Sequence, residues 1–537
     1  MMEVKKMKKK ILCTLLVASM MASALASCGS SGSSSSSSSS SKSSEEGSAA
    51  ASETASESGE ASESAGYTPN FDEDPYTVHF QYCVAAESSG QSDVSAALNE
   101  LTLKELNMNV DLMPQTMGTW VTTMSMILAA NEPLDLFLAG SGSFGTYMDS
   151  GYIRNWADYL DYLPDVLETL GDDVQAGYVG DFLVGFSQMK ERGYQAGLVA
   201  RKDIMDELGL TADDFSVTTQ DLSSYNQITE LFAKVKEAHP EMVGVGGTLS
   251  LAGSMGGDFA DNLGNNFGML ENFGQTTTVT NWYETDICRA FVDLQREWFV
   301  NGYESADVAT NQDGGETLMK AGNLFSFLCN IKPNTAVEKK AQTGYDVVVI
   351  PMSDTTFTSS MSVNAIVYSL ANASEDPVKA SAFYNWAYTS PEFNDLINWG
   401  VEGKDWVETS DGLAAYPDGV DATSVSYHQD YAWAYLNQFC AHAWEGNPTD
   451  IWQQYEEFNA GLLRSKAFGF NFDPTVVTDQ VAQCTSVFDQ YDNDVFFGAV
   501  DPEQGLADMN AALYAAGMQD IIDAKQSQLD AWLAEQD

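Results

Sequence analysis

An α/β fold in two lobes is predicted by three features of the sequence. Short apolar runs alternate with amphipathic helical stretches along most of the chain, as strands wound with helices require. Pro114 and Pro240 as stop signals, and Pro377 and Pro391 as start signals, punctuate that alternation. The body, residues 75–537, is too long for one compact core, so it should divide. No internal repeat is visible.

In chain order, the first segment is not part of that body. Lys5, Lys6, Lys8, Lys9 and Lys10 precede a mostly apolar run at 11–24, shorter than the roughly 20 residues that span a bilayer. Leu25-Ala26-Ser27-Cys28 follows. This pattern is a secretory signal peptide, and its end resembles the bacterial lipobox. The resemblance implies cleavage before Cys28 and lipidation of its thiol, leaving 1–27 as leader. Residues 33–41 are all serine, and Ser, Ala and Glu dominate to residue 66. Such a segment has too little to bury and should stay disordered. We read 28–74 as a tether; a coil of about 45 residues reaches about 35–40 Å.

Strands are expected at 77–84, 109–113 and 134–139, with helices between them from about 93 and over 120–129. That is one complete β-α-β-α-β unit. Val94, Ala97, Leu98 and Leu101 share a face of the first helix. Residues 195–200 read as a strand and 201–208 as a helix. Ser224 is the expected cap of a helix in which Ile228, Leu231, Phe232 and Val235 fall at i, i+3, i+4 and i+7. Further strands are expected at 324–329, 345–350 and 364–370. Asp376-Pro377 and Ser390-Pro391 each place a cap before a proline at the first helical position, which needs no N–H there. Residues 504–534 read as helices with a break near Gly517.

Composition excludes some functions. With 25 basic and 77 acidic residues the net charge is −52, and no basic cluster outside the leader could neutralise a phosphate backbone, so nucleic acid is not a partner. Cys13 and Cys28 belong to the leader and its end. The five others, Cys83, Cys288, Cys329, Cys440 and Cys484, are odd in number and widely spaced without C-x-x-C. They form no disulfide scaffold, although one bridge stays open. The sequence has no G-x-S-x-G, H-E-x-x-H or P-loop. His428 and His442 flank an aromatic run, but packed or surface roles fit them better than a metal. The acids from Asp492 lack the glycine and terminal glutamate of a calcium loop. No cofactor is expected.

Gly140-Ser141-Gly142-Ser143-Phe144-Gly145 follows the third strand and has the G-x-G-x-x-G spacing of a dinucleotide loop. A dinucleotide loop should follow the first strand, open a long helix and lead to an acidic strand end about 20 residues on. Here Gly151 cuts the helix short and 152–170 shows no strand. Two readings remain: a turn that needs glycine, or a loop whose small residues let a polar ligand approach a strand end.

At this point the chain resembles the extracellular solute-binding lipoproteins of bacterial ABC importers, of the maltose- and oligosaccharide-binding type. The stretches that carry the resemblance are NEPLDLFLAGSGSFGTYMDSGYIRNWADYL, GYQAGLVARKDIMDELGL, and ASEDPVKASAFYNWAYTSPEFNDLINWGVEGKDWV. KAFGFNFDP and the terminal DAKQSQLDAWLAEQ suggest a subgroup with an extended C-terminal region. The resemblance covers about residues 75 to 537. It implies a type II periplasmic-binding-protein fold, each lobe a mostly parallel sheet flanked by helices. Lobe 1 would be 75–194 plus 363–404, and lobe 2 would be 195–362 plus 405–537.

It further implies a monomeric, non-enzymatic receptor, anchored by lipid on the outer face of the membrane. Such a receptor takes a carbohydrate, an oligosaccharide on this reading, into the cleft and hands it to a membrane permease. Candidate ligand-binding residues are Tyr82, Glu87, Ser141, Ser143 and Phe144 in the first lobe, and Gln188 before the crossing strand. Asn330 and Lys332 follow a second-lobe strand. Trp399, Glu402 and Lys404 lie in the NWGVEGK turn, and Phe470 and Asn471 in FGFNFDP. The competing readings are a binding protein for peptides or another polar solute, a sensor or adhesin, and a secreted glycoside hydrolase.

Overall fold

A computed structural model describes residues 66–536. The leader, Cys28 and residues 28–65 of the expected tether lie outside the described residues.

The strands of the two main sheets are β1 (Tyr76–Val84), β2 (Met108–Thr116), β3 (Leu136–Gly140), β4 (Gln195–Arg201), β5 (Val243–Val245), β6 (Leu324–Ile331), β7 (Val347–Pro351) and β8 (Ile366–Leu370). Helices that matter below are α1 (Gln91–Leu106), α2 (Met117–Ala130), α3 (Phe144–Asp149), α4 (Asn226–Ala238), α5 (Pro377–Thr389), α6 (Pro391–Trp399), α7 (Thr478–Phe496), α8 (Pro502–Ala515) and α9 (Met518–Gln536).

The first sheet has the order β8-β3-β1-β2. β1 runs parallel to β2 and β3, and β8 closes the edge antiparallel to β3. The expected wound unit is present. The second strand does not stop at Pro114; it runs on to Thr116. β2 is an edge strand, where a missing N–H costs no ladder bond. The second sheet, β7-β4-β6-β5, departs from the expected mostly parallel arrangement. β4 is antiparallel to both β6 and β7, and only β5 and β6 are parallel. The strand that enters this sheet from the other lobe therefore runs opposite to its two neighbours.

Each sheet has its own core. Phe80, Phe137, Trp156, Tyr368, Phe383 and Phe393 belong to the first. Phe232, Phe259, Trp282, Phe291, Trp298 and Phe325 belong to the second. On α4, Ile228, Leu231, Phe232 and Val235 are all buried, but the cap differs from expectation. Asp221 caps a short preceding turn, and the Ser224 hydroxyl serves Thr218 instead. Asp376 caps α5, Ser390 caps α6, and Gly400 ends α6 at φ 92°, as read.

Two boundaries differ from the sequence reading. Residues from 67 onward are not tether: Tyr67 packs on the first core, and Asn107 Nδ2 donates to the carbonyls of Asn70 and Glu73. Tyr427, Tyr435 and Leu436 pack in the first core, although everything after 404 was expected in the second. Ala467 and Phe470 are in the second core, together with residues of α7, α8 and α9.

The segments between the cores are stitched to one another. Tyr194 bridges to Phe357, and Phe357–Thr358 pairs with Leu463–Arg464. Thr358 Oγ1 donates to Arg192 O at 2.6 Å. Asn459 joins in, accepting from Arg192 N at 2.8 Å and donating to Lys190 O at 2.9 Å. Gly193 makes this packing possible, since a Cβ there would stand 2.2 Å from Phe357 O.

Candidate functional site

Where the loops of the two cores face each other, they leave two open cavities, a smaller one of about 640 Å³ and a larger one of about 1000 Å³, both lined by Met361. One wall is the glycine loop: Ser141, Gly142, Phe144 and Gly145. It is held at the end of β3 by Ser141 N donating to Ala365 O at 3.0 Å. Gly140, Gly142 and Gly145 are absent from the left-handed region, so the turn does not require glycine for its conformation. A Cβ at Gly142 would meet nothing within 4 Å. The missing side chains keep the cavity open.

The facing wall comes from the second core. Residues 256–258 form a short helical turn whose neighbours Met255, Phe259 and Ala260 are buried. The turn continues into 261–265, where Asn262 Oδ1 accepts from Gly264 N at 3.1 Å and Asn265 Oδ1 from Phe267 N at 3.0 Å. The floor is a capping box. Ser359 Oγ accepts from Ser362 N at 3.2 Å, while Ser359 N donates to Ser362 Oγ at 2.7 Å. Phe470, Phe472 and Asp473 complete the larger cavity.

Asp258 is the most distinctive polar group here. It is 8% exposed. Oδ1 receives a weak bond from Asn330 Nδ2 at 3.4 Å, and Oδ2 has no partner among the described residues. Burial pushes its pKa up to about 7. Asp261, three residues on, differs: Oδ2 accepts from Ser465 Oγ at 2.6 Å and Oδ1 from Leu263 N at 3.1 Å.

Beside the smaller cavity lies a buried ionic cluster. Tyr194 lines the cavity and accepts from Lys190 Nζ at 3.2 Å. Glu191 Oε1 stands 3.4 Å from Lys190 Nζ and 3.7 Å from Lys332 Nζ, and Lys332 also meets Glu338 at 3.5 Å. Burial works against the Glu191 charge, but Lys190 and Lys332 outweigh it and hold its pKa below the usual carboxylate value. Burial likewise opposes the Lys190 charge, and Glu191 and Tyr194 raise its pKa despite that. Gln188 is 1% exposed, and neither amide atom has a partner among the described residues. A buried primary amide left unpaired is uncommon.

The sequence candidates fall into three groups. Ser141, Phe144, Phe470 and Asn471 meet in the larger cavity, and Asn330 meets Asp258 at the smaller one. The Asn471 amide is already committed, donating to Ala176 O at 2.8 Å and Tyr178 O at 2.7 Å, and accepting from Asn364. Lys332 lies in the ionic cluster with Glu191, and Gln188 is the buried amide two residues before Lys190. Ser143 is half-buried next to this wall.

The rest are elsewhere. Tyr82 is fully buried in the first core against Tyr427, and Glu87 is exposed on the loop after β1. Trp399 is 3% exposed among Trp406 and Trp444, with Nε1 donating to His442 O, so it packs a helix end. Glu402 is exposed, and exposed Lys404 pairs with Asp93 of α1. His428 stacks in the same aromatic cluster, where burial lowers its pKa to about 4. No group of three metal-ligating side chains occurs among the described residues, and the five cysteines there are unbridged.

Asp258, Asn262, Tyr194 and Met361 were missed by sequence reasoning. Asp258 is one of 77 acidic residues, in a Gly-Gly-Asp turn that carries no motif. Only its burial, with one carboxyl oxygen unpartnered among the described residues, marks it.

Residues 466–534 match a domain of unknown function, DUF3502. The chain is 22% identical over 477 residues to a carbohydrate ABC transporter substrate-binding protein of Streptococcus pneumoniae serotype 4, covering 84% of this chain and 90% of that one. Among solved structures, the N-glycan transport solute binding protein NgtS of Streptococcus pneumoniae superposes with a TM-score of 0.74 at 16% identity, over 86% of this chain and 100% of that one. A solute-binding protein from Bifidobacterium longum infantis, described as binding HMO, gives 0.62 at 14%, over 86% and 99%. The fold is that of the two-lobed solute-binding proteins.

Proposed function

We propose that the chain is the extracellular substrate-binding subunit of a carbohydrate ABC importer, holding an oligosaccharide between its lobes and delivering it intact to a membrane permease. The observation that carries this is the cavity pair between the two cores. It offers what a sugar needs: small hydroxylic and glycine positions, the aromatic Phe144, Phe470 and Phe472, and a carboxyl oxygen at Asp258 with no partner among the described residues. Aromatic faces cover sugar C–H surfaces, and a free carboxylate oxygen accepts a hydroxyl. The substrate-binding relatives support the same reading.

Ser141, Phe144, Asn330 and Phe470, with Asp258 and Tyr194, are the proposed contact residues; Gln188 and Lys332 join when the lobes close. Cys28 carries the lipid, and the serine-rich segment holds a monomeric receptor off the outer membrane face. Closure selects between open and closed forms by the ligand's differential affinity for them. Bond cleavage has no part in this reading: a hydrolase needs a carboxylate pair, and Asp261 is already engaged by Ser465 and Leu263.

The test is a thermal-shift panel of Man1GlcNAc, Man5GlcNAc, kestose and tetra-alanine. An oligosaccharide should raise the melting temperature by mass action and be recovered at unchanged mass. Shortened sugar products would establish the hydrolase. A shift by the peptide alone would replace the substrate class.

A further inference from the structure

Lys525 on α9 is fully buried. Its Nζ donates to the carbonyls of Asn262, Asn265 and Gly268, each at 2.8 Å. An ammonium has three N–H donors, and each is taken by one carbonyl. The carbonyls converge because the backbone turns through the left-handed region at Leu263 (φ 51°), Gly264 (φ 98°) and Gly268 (φ 98°). For Leu263 that conformation is strained, so something outside the loop must hold it. The opposite side of this loop is the cleft wall: Asp261, Leu263, Gly264 and Asn265 line the larger cavity.

The same helix grips the neighbouring part of that wall. Gln528 accepts from Asp473 N and donates to Asp473 O, both at 2.9 Å. Trp532 packs its ring edge-on to Phe470, and Lys525 Nζ lies 5.5 Å from the Phe472 ring. Burial works against this charge and lowers the Lys525 pKa, while Asp261 nearby acts in the opposite sense; a buried ammonium is costly unless it is fully bonded. All the hydrogen bonds of this charge go to one loop.

We propose that Lys525 is a positioning residue for ligand capture: through it, the C-terminal helix sets the shape of the second-lobe cleft wall, residues 261–268. This rests on the reading of the cleft as a sugar site, but its primary test does not.

Amide hydrogen exchange is compared in full-length parent, Lys525→Met and Leu529→Ala. Leu529 is a buried core residue of the same helix. In Lys525→Met, exchange across 261–268 should rise at least tenfold while β4 stays within twofold of the parent. In Leu529→Ala, the loop and β4 should move together. Man5GlcNAc affinity should fall about tenfold in Lys525→Met and remain near the parent value in Leu529→Ala.

Unchanged loop exchange in Lys525→Met, or an equal rise in β4, would overturn the proposal. Should the methionine variant not fold, Lys525→Gln gives the same comparison with an intermediate effect expected. Failure of the parent to bind any sugar would defeat the functional reading; the exchange comparison would still decide the role of Lys525.

Discussion

Asp258 carries a carboxyl oxygen with no partner among the described residues, and its pKa is pushed up to about 7 by burial. In the unfolded chain it titrates near 4. Between those values the folded protein holds a proton that the unfolded chain has lost, so this residue's contribution to stability falls as pH rises from about 4 to about 7. Asp258→Asn removes that dependence. Its stability relative to the parent should rise by up to about 4 kcal/mol across that window, at about 1.4 kcal/mol per pKa unit, read by denaturant titration. A parent–variant difference that does not change with pH would show the carboxyl to be solvated. Residues of this kind were poorly legible in the sequence. Ser141 and Phe144 were singled out by their position after a strand, and they do follow β3; Asn330 was singled out the same way but lies within β6. Asp258 and Lys525 were not, because their roles depend on where a distant segment puts partners. A lysine in a polar terminal helix reads as solvated until the 262–268 carbonyls are seen around it.

At the scale of elements, the glycine loop has the spacing of a nucleotide site but opens only the six-residue helix α3 and lines the larger cavity. A Cβ at Gly142 would touch nothing, so Gly142→Phe should leave the melting temperature within a degree or two of the parent while filling the cleft. Oligosaccharide affinity should drop at least tenfold, measured by calorimetry; retained affinity would place the ligand elsewhere. Elements with strong periodicity were legible: the α4 face, the capped starts of α5 and α6, and the wound unit from β1 to β3. Pro114 misled because its edge position in the sheet is not written locally. α7 escaped notice because only Cys484, Val495 and Phe496 are buried along it, too few to give a helical stripe. The antiparallel pairing of β4 was also hidden, since a strand's direction depends on the lobe from which the chain arrives.

For the whole molecule, two cores are joined by several stitched crossings. Arg192 adds an ion pair there: its NH1 lies 2.7 Å from Asp173, which also meets Arg464 at 2.8 Å. The acidic surface favours solubility. The C-terminal region packs on the second core, and its residues 470–475 line the cavity. The crystal structure of residues 66–537 with the tightest oligosaccharide of the panel tests the central claim most directly. The account predicts sugar density between the glycine loop and the 257–265 turn, with a hydroxyl on Asp258. Density confined to the outer surface, with that space empty, would contradict it.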